Sequence, residues 1–196
     1  MPFSLLLVPF YNAKLTLAIF SYHLAMLCVI FLSEKKPLVK QLFKSKNYKA
    51  PVLMAVIGAW GGVLLIVLAP FLAIPSNFAS YTYSIGLTER TWLPFIAYYA
   101  FATPLIEEFY WRGLLGGHRT NRIMPGDLFF AGYHLLVLPG KVGAIWLPVI
   151  FLLLSLVAWL WRHVNKVSGG LLPSVLSHFT ADISVILAIY WIAVYR

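Results

Sequence analysis

In the stretch 104–113, which reads PLIEEFYWRG, two adjacent carboxylates and an arginine stand among apolar and aromatic side chains. A charge at the centre of a membrane helix costs about 2.5–3.5 kcal/mol on insertion scales. Charged residues that are present in such a stretch despite this cost therefore indicate a functional role. On a helix, Glu108 and Arg112 share a face because they are four residues apart. Glu107 points about 100° away from Glu108. We therefore predict that Arg112 holds Glu108 while Glu107 faces another group; a purely structural ion pair is the alternative.

Two later stretches supply imidazoles at helical spacing. Phe130 stands four residues before His134, and His178 stands four residues before Asp182. The imidazole of His178 can donate to Asp182, which would orient the ring. A lone histidine in an apolar helix is more often a core residue than a catalyst, but its coincidence with the carboxylates favours a site. The remaining histidines and nearby aromatic residues are interpreted as packing, loop or interface residues: His23, His118, His163, Tyr110, Trp111, Tyr133 and Trp161.

These residue types are typical of water activation. Glu107 is the predicted general base, and His134 would share the water or protonate the leaving amine. His178 would donate hydrogen bonds to a developing oxyanion. Ser174 and Ser177 lack an elbow motif, so we discount a serine nucleophile. A zinc site stays open, because glutamate and two histidines are suitable ligands, although the sequence contains no HExxH motif.

The composition places these residues in a membrane. The chain is 61% hydrophobic and 16% aromatic, with only 11% charged residues, which predicts an all-α, polytopic transmembrane helix bundle surrounded by the lipid bilayer. The net charge of +9 is explained by lysine- and arginine-rich cytoplasmic loops, so no nucleic-acid partner is expected. The single cysteine, Cys28, excludes an internal disulfide and a cysteine metal cluster. We predict one domain over residues 1–196, without a cleavable signal peptide.

Apolar segments predict about six spans. They cover residues of about 15–32, 51–74, 91–115, 128–138, 142–161 and 171–195. Lysines and arginines concentrate in the stretches 33–49, 112–122 and 162–166, which we interpret as cytoplasmic, whereas 75–90 is placed outside with both termini. The segment 128–138 is short for a span, and a re-entrant segment there would invert the orientation of everything after it.

Several residues predict the local shape of these helices. Pro94 and Pro104 are expected to kink or interrupt the third span. Gly58, with Gly61 and Gly62, allows close helix contact. Asp127 is expected to cap the following helix by accepting from its free amides.

Three of the polar residues are predicted to lie at a similar depth in the membrane. Glu107, His134 and His178 lie seven to nine residues from the predicted cytoplasmic ends of their helices, which corresponds to about 10–14 Å. Ionisable side chains within a membrane normally face a bundle interior or a water-filled cavity. We therefore expect one cavity lined by six residues: Glu107, Glu108, Arg112, His134, His178 and Asp182.

These motifs, EExxxR at 107–112, FxxxH at 130–134 and HxxxD at 178–182, resemble in this order the CAAX-protease and bacteriocin-processing (CPBP, ABI) family of glutamic intramembrane endopeptidases. The motifs span about residues 104–182, within a core of about 91–195. The resemblance implies a peptidase without metal or other cofactor that cleaves near the C-terminus of a membrane-associated protein. Glu107 would be the general base, assisted by His134. His178 and Asp182 would form the oxyanion hole, supported electrostatically by Glu108 and Arg112.

The sequence departs from this family at one motif position. The last residue is often asparagine, but here it is Asp182. Because an ionised aspartate repels an oxyanion, Asp182 must be protonated or must act by orienting His178. The chain is similar to compact prokaryotic members that process C-terminal sorting tails instead of prenylated ends. This implies a multi-pass protein of the prokaryotic inner membrane whose partner is a membrane-anchored substrate with a C-terminal tail.

Three alternatives remain at this stage. A zinc-dependent membrane protease would use the same side chains as ligands. A non-catalytic membrane protein would serve bacteriocin immunity or scaffolding. A proton-coupled carrier would use the buried carboxylates, but carriers often show internal repeats, and we find none in this sequence.

Overall fold

A computed structural model describes residues 15–33, 38–44, 47–116 and 122–195 of the chain. Within these ranges the fold is all-helical and no residue lies in a β-strand, as the composition predicted. The predictions for the two chain termini, for part of the lysine-rich stretch and for His118 concern residues outside the described ranges. The helices are α1 (Leu15–Leu32), α2 (Leu38–Leu42), α3 (Lys49–Leu68), α4 (Phe78–Ser84), α5 (Trp92–Glu108), a π-helical segment (Phe109–Leu114), α6 (Pro125–His134), α7 (Trp146–Ser168) and α8 (Leu172–Tyr195).

Three of the described helices, α3, α7 and α8, are long and apolar enough to cross a membrane. Helix α1 is apolar but shorter. Helix α5 and the π-helical segment form one continuous helical run at the position of the predicted third span. Helix α6 has 10 residues, which corresponds to about 15 Å and is too short to cross the hydrocarbon core alone.

Helix α8 is the central helix of the fold, since α3, α4, α5 and α7 all contact it. The closest approach is to α3, where a Cβ added at Gly58 or Gly62 would collide with the carbonyl oxygen of Ser177 or Ser184. The amide of Gly62 donates to the Ser184 hydroxyl at 3.0 Å. The prediction that these glycines allow close helix contact is therefore confirmed, as expected for small residues spaced four apart.

Two backbone hydrogen bonds identify the two ends of the bundle. The amide of Leu171, between α7 and α8, donates to the carbonyl of Gln41 in α2 at 2.9 Å. The amide of Gly143, before α7, donates to the carbonyl of Leu72, after α3, at 2.8 Å. Because α3 separates Gln41 from Leu72 by about 30 Å, these contacts lie at opposite ends. The lysine-rich stretch and the α7–α8 connection, both predicted to be cytoplasmic, thus lie at the same end.

The helical run that carries the two glutamates is not interrupted at Pro94 or Pro104, and the alternative expectation, a kink at these residues, stays a prediction. Helix α5 continues through Pro94 and Pro104, with Pro104 in its interior. Pro94 lies in the first turn of α5, where proline is tolerated, whereas Pro104 removes one backbone donor from the interior. The irregularity comes later: the amide of Leu115 donates to the carbonyl of Tyr110 at 3.0 Å, a five-residue step typical of π-helix.

The prediction of a basic loop at 162–166 was wrong, because α7 extends to Ser168. Arg162 is 3% exposed. Its guanidinium forms an ion pair with Asp127 at 2.7 Å and donates to the carbonyl of Arg122 at 2.7 Å. This buried ion pair joins the start of α6 to the last part of α7. The left-handed backbone of Gly169, with φ 79°, then ends α7.

Asp127 also has a capping role, though not at the position expected. It is the third residue of α6 and accepts a hydrogen bond from the amide of Met124 at 2.8 Å, while Pro125 opens the helix. A carboxylate in the first turn stabilises a helix through its dipole. Asp127 therefore fixes the start of the short helix that carries His134.

Candidate active site

Glu108 connects two of the predicted motifs. The Nη1 atom of Arg112 donates to its Oε1 atom at 2.9 Å, so the predicted ion pair is present and buried. The Nδ1 atom of His178 lies 3.0 Å from the same oxygen. Because a carboxylate paired with arginine only accepts hydrogen bonds, Nδ1 of His178 is the donor. This bond directs the Nε2 atom of the ring away from Glu108.

Glu107 faces a different group, as its angular offset from Glu108 predicted. The hydroxyl of Tyr133 donates to both of its carboxylate oxygens, at 2.6 Å and 2.7 Å. The Nε2 atom of His178 lies 4.0 Å from Oε2 of Glu107. Glu107 is 1% exposed. The first and third motifs therefore meet: Glu108 is hydrogen-bonded to one ring nitrogen of His178, and Glu107 lies 4.0 Å from the other.

His134 reaches this region through α6 but does not touch Glu107. Its Nδ1 atom lies 2.8 Å from the carbonyl oxygen of Phe130. Since a carbonyl only accepts, this nitrogen carries a proton, and Nε2 is the acceptor in the neutral ring. Among the described residues, no carboxylate lies within 4.0 Å of the His134 nitrogens. His134 therefore forms no direct ion pair with Glu107 among the described residues.

The contact between Asp182 and His178 is longer than their four-residue spacing suggested. Its Oδ1 atom lies 3.5 Å from Nε2 of His178, which exceeds the usual length of such a hydrogen bond. The short bond to the ring comes from Glu108 instead. The expectation that Asp182 is the carboxylate that orients His178 is corrected accordingly: Glu108 makes that contact, and Asp182 lies beside the other nitrogen.

Aromatic rings enclose the charged groups. The guanidinium carbon of Arg112 lies 4.1 Å from the ring centroid of Phe130 and 4.9 Å from that of Trp161, in the range of cation–π contacts. The ring of Trp161 stacks on His178 with centroids 4.7 Å apart. Its indole nitrogen donates to Ser177 at 2.9 Å. Trp161, interpreted from sequence as a packing or interface residue, thus also fixes the plane of the His178 ring.

Tyr133 is the residue that sequence reasoning missed. It was interpreted as a packing or interface aromatic, yet it binds Glu107 from 26 positions away. The available signal was a tyrosine inside an apolar helix, whose hydroxyl needs a partner when buried. The adjacent His134 marked the same helix as part of a site, but spacing alone does not identify the partner.

Of the six predicted site residues, Arg112 lines a cavity beside the site. A cavity of about 180 Å³ lies beside Arg112, between the end of the π-helical segment and the start of α6, and Asp127 and Arg162 also line it. The other five predicted residues are not part of its lining. Among the described residues, no three histidine, cysteine or acidic side chains are grouped so that they could hold a metal ion.

Comparison with known proteins relates this sequence to one protein family. The model of the family described as Type II CAAX prenyl endopeptidase Rce1-like matches residues 89–184, a range that contains all six predicted residues. Over this segment, which is about half of the chain, the sequence is similar to the CAAX protease family, as its motifs predicted. No curated protein and no solved structure matches the chain.

The family defines the general activity. Its members are CAAX-type intramembrane proteases, which hydrolyse peptide bonds in membrane-anchored protein substrates. The family match and the three membrane-capable helices together indicate an integral membrane protein.

Proposed function

We propose that this chain is a multi-pass endopeptidase of the prokaryotic inner membrane that cleaves near the C-terminus of its substrates, using a water activated by Glu107. One observation carries the proposal: Glu107 and Glu108 lie on opposite nitrogens of His178, in a buried site built from separate helices. Ionisable groups converging within apolar helices are expensive, which favours a functional role. The family match supports the reaction class.

The proposed reaction begins with the proton of a water. Glu107 takes this proton while the hydroxide attacks the peptide carbonyl carbon, with His134 Nε2 accepting a hydrogen bond from the same water. His178 donates from Nε2 to the developing oxyanion, because Glu108 already occupies Nδ1. When the carbon–nitrogen bond breaks, Glu107 returns the proton to the leaving amine. No covalent intermediate with the enzyme is needed.

Asp182 fits this scheme as a neighbour of the donor. Its Oδ1 atom lies 3.5 Å from Nε2 of His178, the nitrogen that would donate to the oxyanion. An oxyanion that arrives between them would be repelled by an ionised Asp182. We therefore propose that Asp182 acts through His178 and does not itself contact the oxyanion.

The substrate we propose is a membrane-anchored protein whose C-terminal tail is removed, as in sorting-tail processing. The closing experiment uses purified protein in detergent with a library of membrane-anchored tail peptides, one half prenylated and the other half carrying an apolar helix with a basic end. Glu107→Gln is compared with Glu89→Gln, the same chemical change at an exposed position. We expect Glu107→Gln to lose about 10²–10⁴-fold in kcat and Glu89→Gln to keep full activity.

The outcomes separate the alternatives. Unchanged cleavage by the Glu107→Gln protein would eliminate the mechanism. Activity lost on exhaustive chelation and restored by zinc would favour the metal-dependent alternative. Cleavage confined to the prenylated half would contradict the sorting-tail substrate but preserve the mechanism. Cleavage of neither half by the wild-type protein would favour a non-catalytic role.

A further inference from the structure

Tyr133 makes the shortest polar contacts recorded at the proposed catalytic base. Its hydroxyl lies 2.6 Å and 2.7 Å from the two oxygens of Glu107. A hydroxyl that bridges both oxygens fixes the rotation of the carboxylate about its last side-chain bond. In this orientation Oε2 of Glu107 faces Nε2 of His178. Among the described residues, no other hydrogen-bond donor to Glu107 is recorded.

The ring of Tyr133 is itself held on several sides. The ring of Trp111 lies parallel to it, at an interplanar angle of 1°, and Phe130 meets it edge-on at 83°. The ring of Tyr22, from α1, approaches to a centroid distance of 5.1 Å. A side chain packed on several faces loses little further freedom when its hydroxyl bonds, so the contact with Glu107 is preorganised.

The same bond positions a second residue of the site. Tyr133 and His134 are neighbours on α6, which packs mainly on α7 and only slightly on the helical run that carries Glu107. Among the described residues, no nitrogen of His134 lies within 4.0 Å of a carboxylate oxygen of Glu107. The hydroxyl of Tyr133 is therefore the polar link that sets the distance between the two groups that must share a water.

Resting on the proposed function, we infer that Tyr133 is a positioning residue: its hydroxyl holds Glu107 toward His178 and fixes the separation of Glu107 and His134. It donates no proton to the substrate in this scheme. Its contribution lies in the geometry of the base, which affects the chemical step rather than substrate binding.

The test compares Tyr133→Phe with Tyr98→Phe. The control removes a hydroxyl that also bonds a histidine, because the Tyr98 oxygen lies 2.9 Å from Nδ1 of His23 and makes no hydrogen bond to Glu107 or Glu108 among the described contacts. We expect Tyr133→Phe to lower kcat about ten- to hundredfold, the range for losing a hydrogen bond to a charged group, with KM changed less than about twofold. The control should change kcat less than about twofold. In a Glu107→Gln background, Tyr133→Phe should cause no further loss.

A spectroscopic measurement accompanies the kinetics. The infrared carboxyl band of Glu107 is identified as the difference between wild type and Glu107→Gln. We expect this band to shift in Tyr133→Phe and to stay in place in Tyr98→Phe, independently of any activity.

The outcomes distinguish this inference from the proposed function. An inactive Glu107→Gln protein combined with a fully active Tyr133→Phe protein overturns only the role of Tyr133. Faster cleavage by Tyr133→Phe also overturns it, because the hydroxyl would then obstruct the water. An unshifted Glu107 band shows that the bond is absent and overturns the inference directly. If Glu107→Gln still cleaves, the proposed function fails and the positioning role fails with it.

Discussion

A single oxygen atom of Glu108 accepts hydrogen bonds from two residues of the site. Its Oε1 atom accepts from Arg112 and from His178, and its side chain is fully buried. Breaking a buried ion pair by removing one partner costs about 3–5 kcal/mol, because the remaining charge has no compensation. The pair is therefore expected to support both the stability of the helix end and the orientation of the imidazole.

Arg112→Met tests that double role. We expect the free energy of unfolding to fall by about 3–5 kcal/mol, since Glu108 would keep its charge without its partner. Thermal unfolding in detergent, together with peptide cleavage, measures the effect. The double variant Arg112→Met with Glu108→Gln should regain much of the stability but little activity, because His178 would still lack its carboxylate. A single variant as stable as wild type would contradict this account.

The residues that sequence reasoning paired correctly are close in the chain. Glu108 and Arg112 share a helix, so a four-residue spacing was enough. The contact of Glu108 with His178 joins residues 70 positions apart, and that of Glu107 with Tyr133 joins residues 26 apart. Such contacts depend on how helices pack, which spacing does not encode. Local spacing also misassigned the orienting carboxylate to Asp182 because it lies one turn away from His178.

At the scale of elements, the packing of α3 on α8 determines where His178 lies. The hydroxyl of Thr180 donates to the carbonyl of Ala55 at 2.7 Å, and Gly58 leaves room for the backbone of Ser177. These contacts flank His178 in the sequence of α8. A displacement of α3 would therefore be transmitted to the imidazole that both glutamates face.

Gly62→Ala tests this packing, with Gly61→Ala as the matched control on the same helix. The added methyl group at Gly62 would collide with the backbone of Ser184, whereas at Gly61 it meets the side chain of Val185 at 3.2 Å, which can move. We expect Gly62→Ala to lower the free energy of unfolding by about 1–3 kcal/mol. Gly61→Ala should be near neutral, since alanine also favours helix. Equal effects of the two variants in thermal unfolding would contradict the close approach at Gly62.

The elements themselves were largely predictable, with errors where polar residues are buried. The second, third and last apolar segments correspond to α3, to α5 with its π-helical extension, and to α8. The stretch 162–166 looked like a loop because it is polar, yet Arg162 is paired with Asp127 from 35 positions earlier. A charge neutralised by a distant partner cannot be distinguished from a solvated one by composition.

At the scale of the whole molecule, the end of the bundle that contains α2 is basic. The end that contains α2 carries the described lysines Lys40 and Lys44, and basic loops lie on the cytoplasmic side of membrane proteins. We therefore expect Lys44 to lie inside and Ser76, after α3, to lie outside. Both side chains are exposed.

Cysteine labelling tests this orientation. In a Cys28→Ser background, which removes the exposed native thiol, Ser76→Cys should react with a membrane-impermeant maleimide in intact spheroplasts. Lys44→Cys should react only after permeabilisation. The reverse pattern would invert the orientation, and equal labelling of both positions would contradict a fixed one.

The family-matched segment does not hold all the contacts that surround its own site. Helices α1 and α3 lie outside residues 89–184, yet α1 brings Tyr22 against Tyr133, and α3 covers the backbone of α8 around His178. A version trimmed to the matched boundaries would present the Ser177 and Ser184 carbonyls and the Thr180 hydroxyl to hydrocarbon. The six proposed site residues thus lie in one half of the chain, whereas part of the packing around them comes from the other half. Any attempt to shorten this protein, or to transfer its motifs to another helix bundle, would first have to replace the packing that α1 and α3 provide.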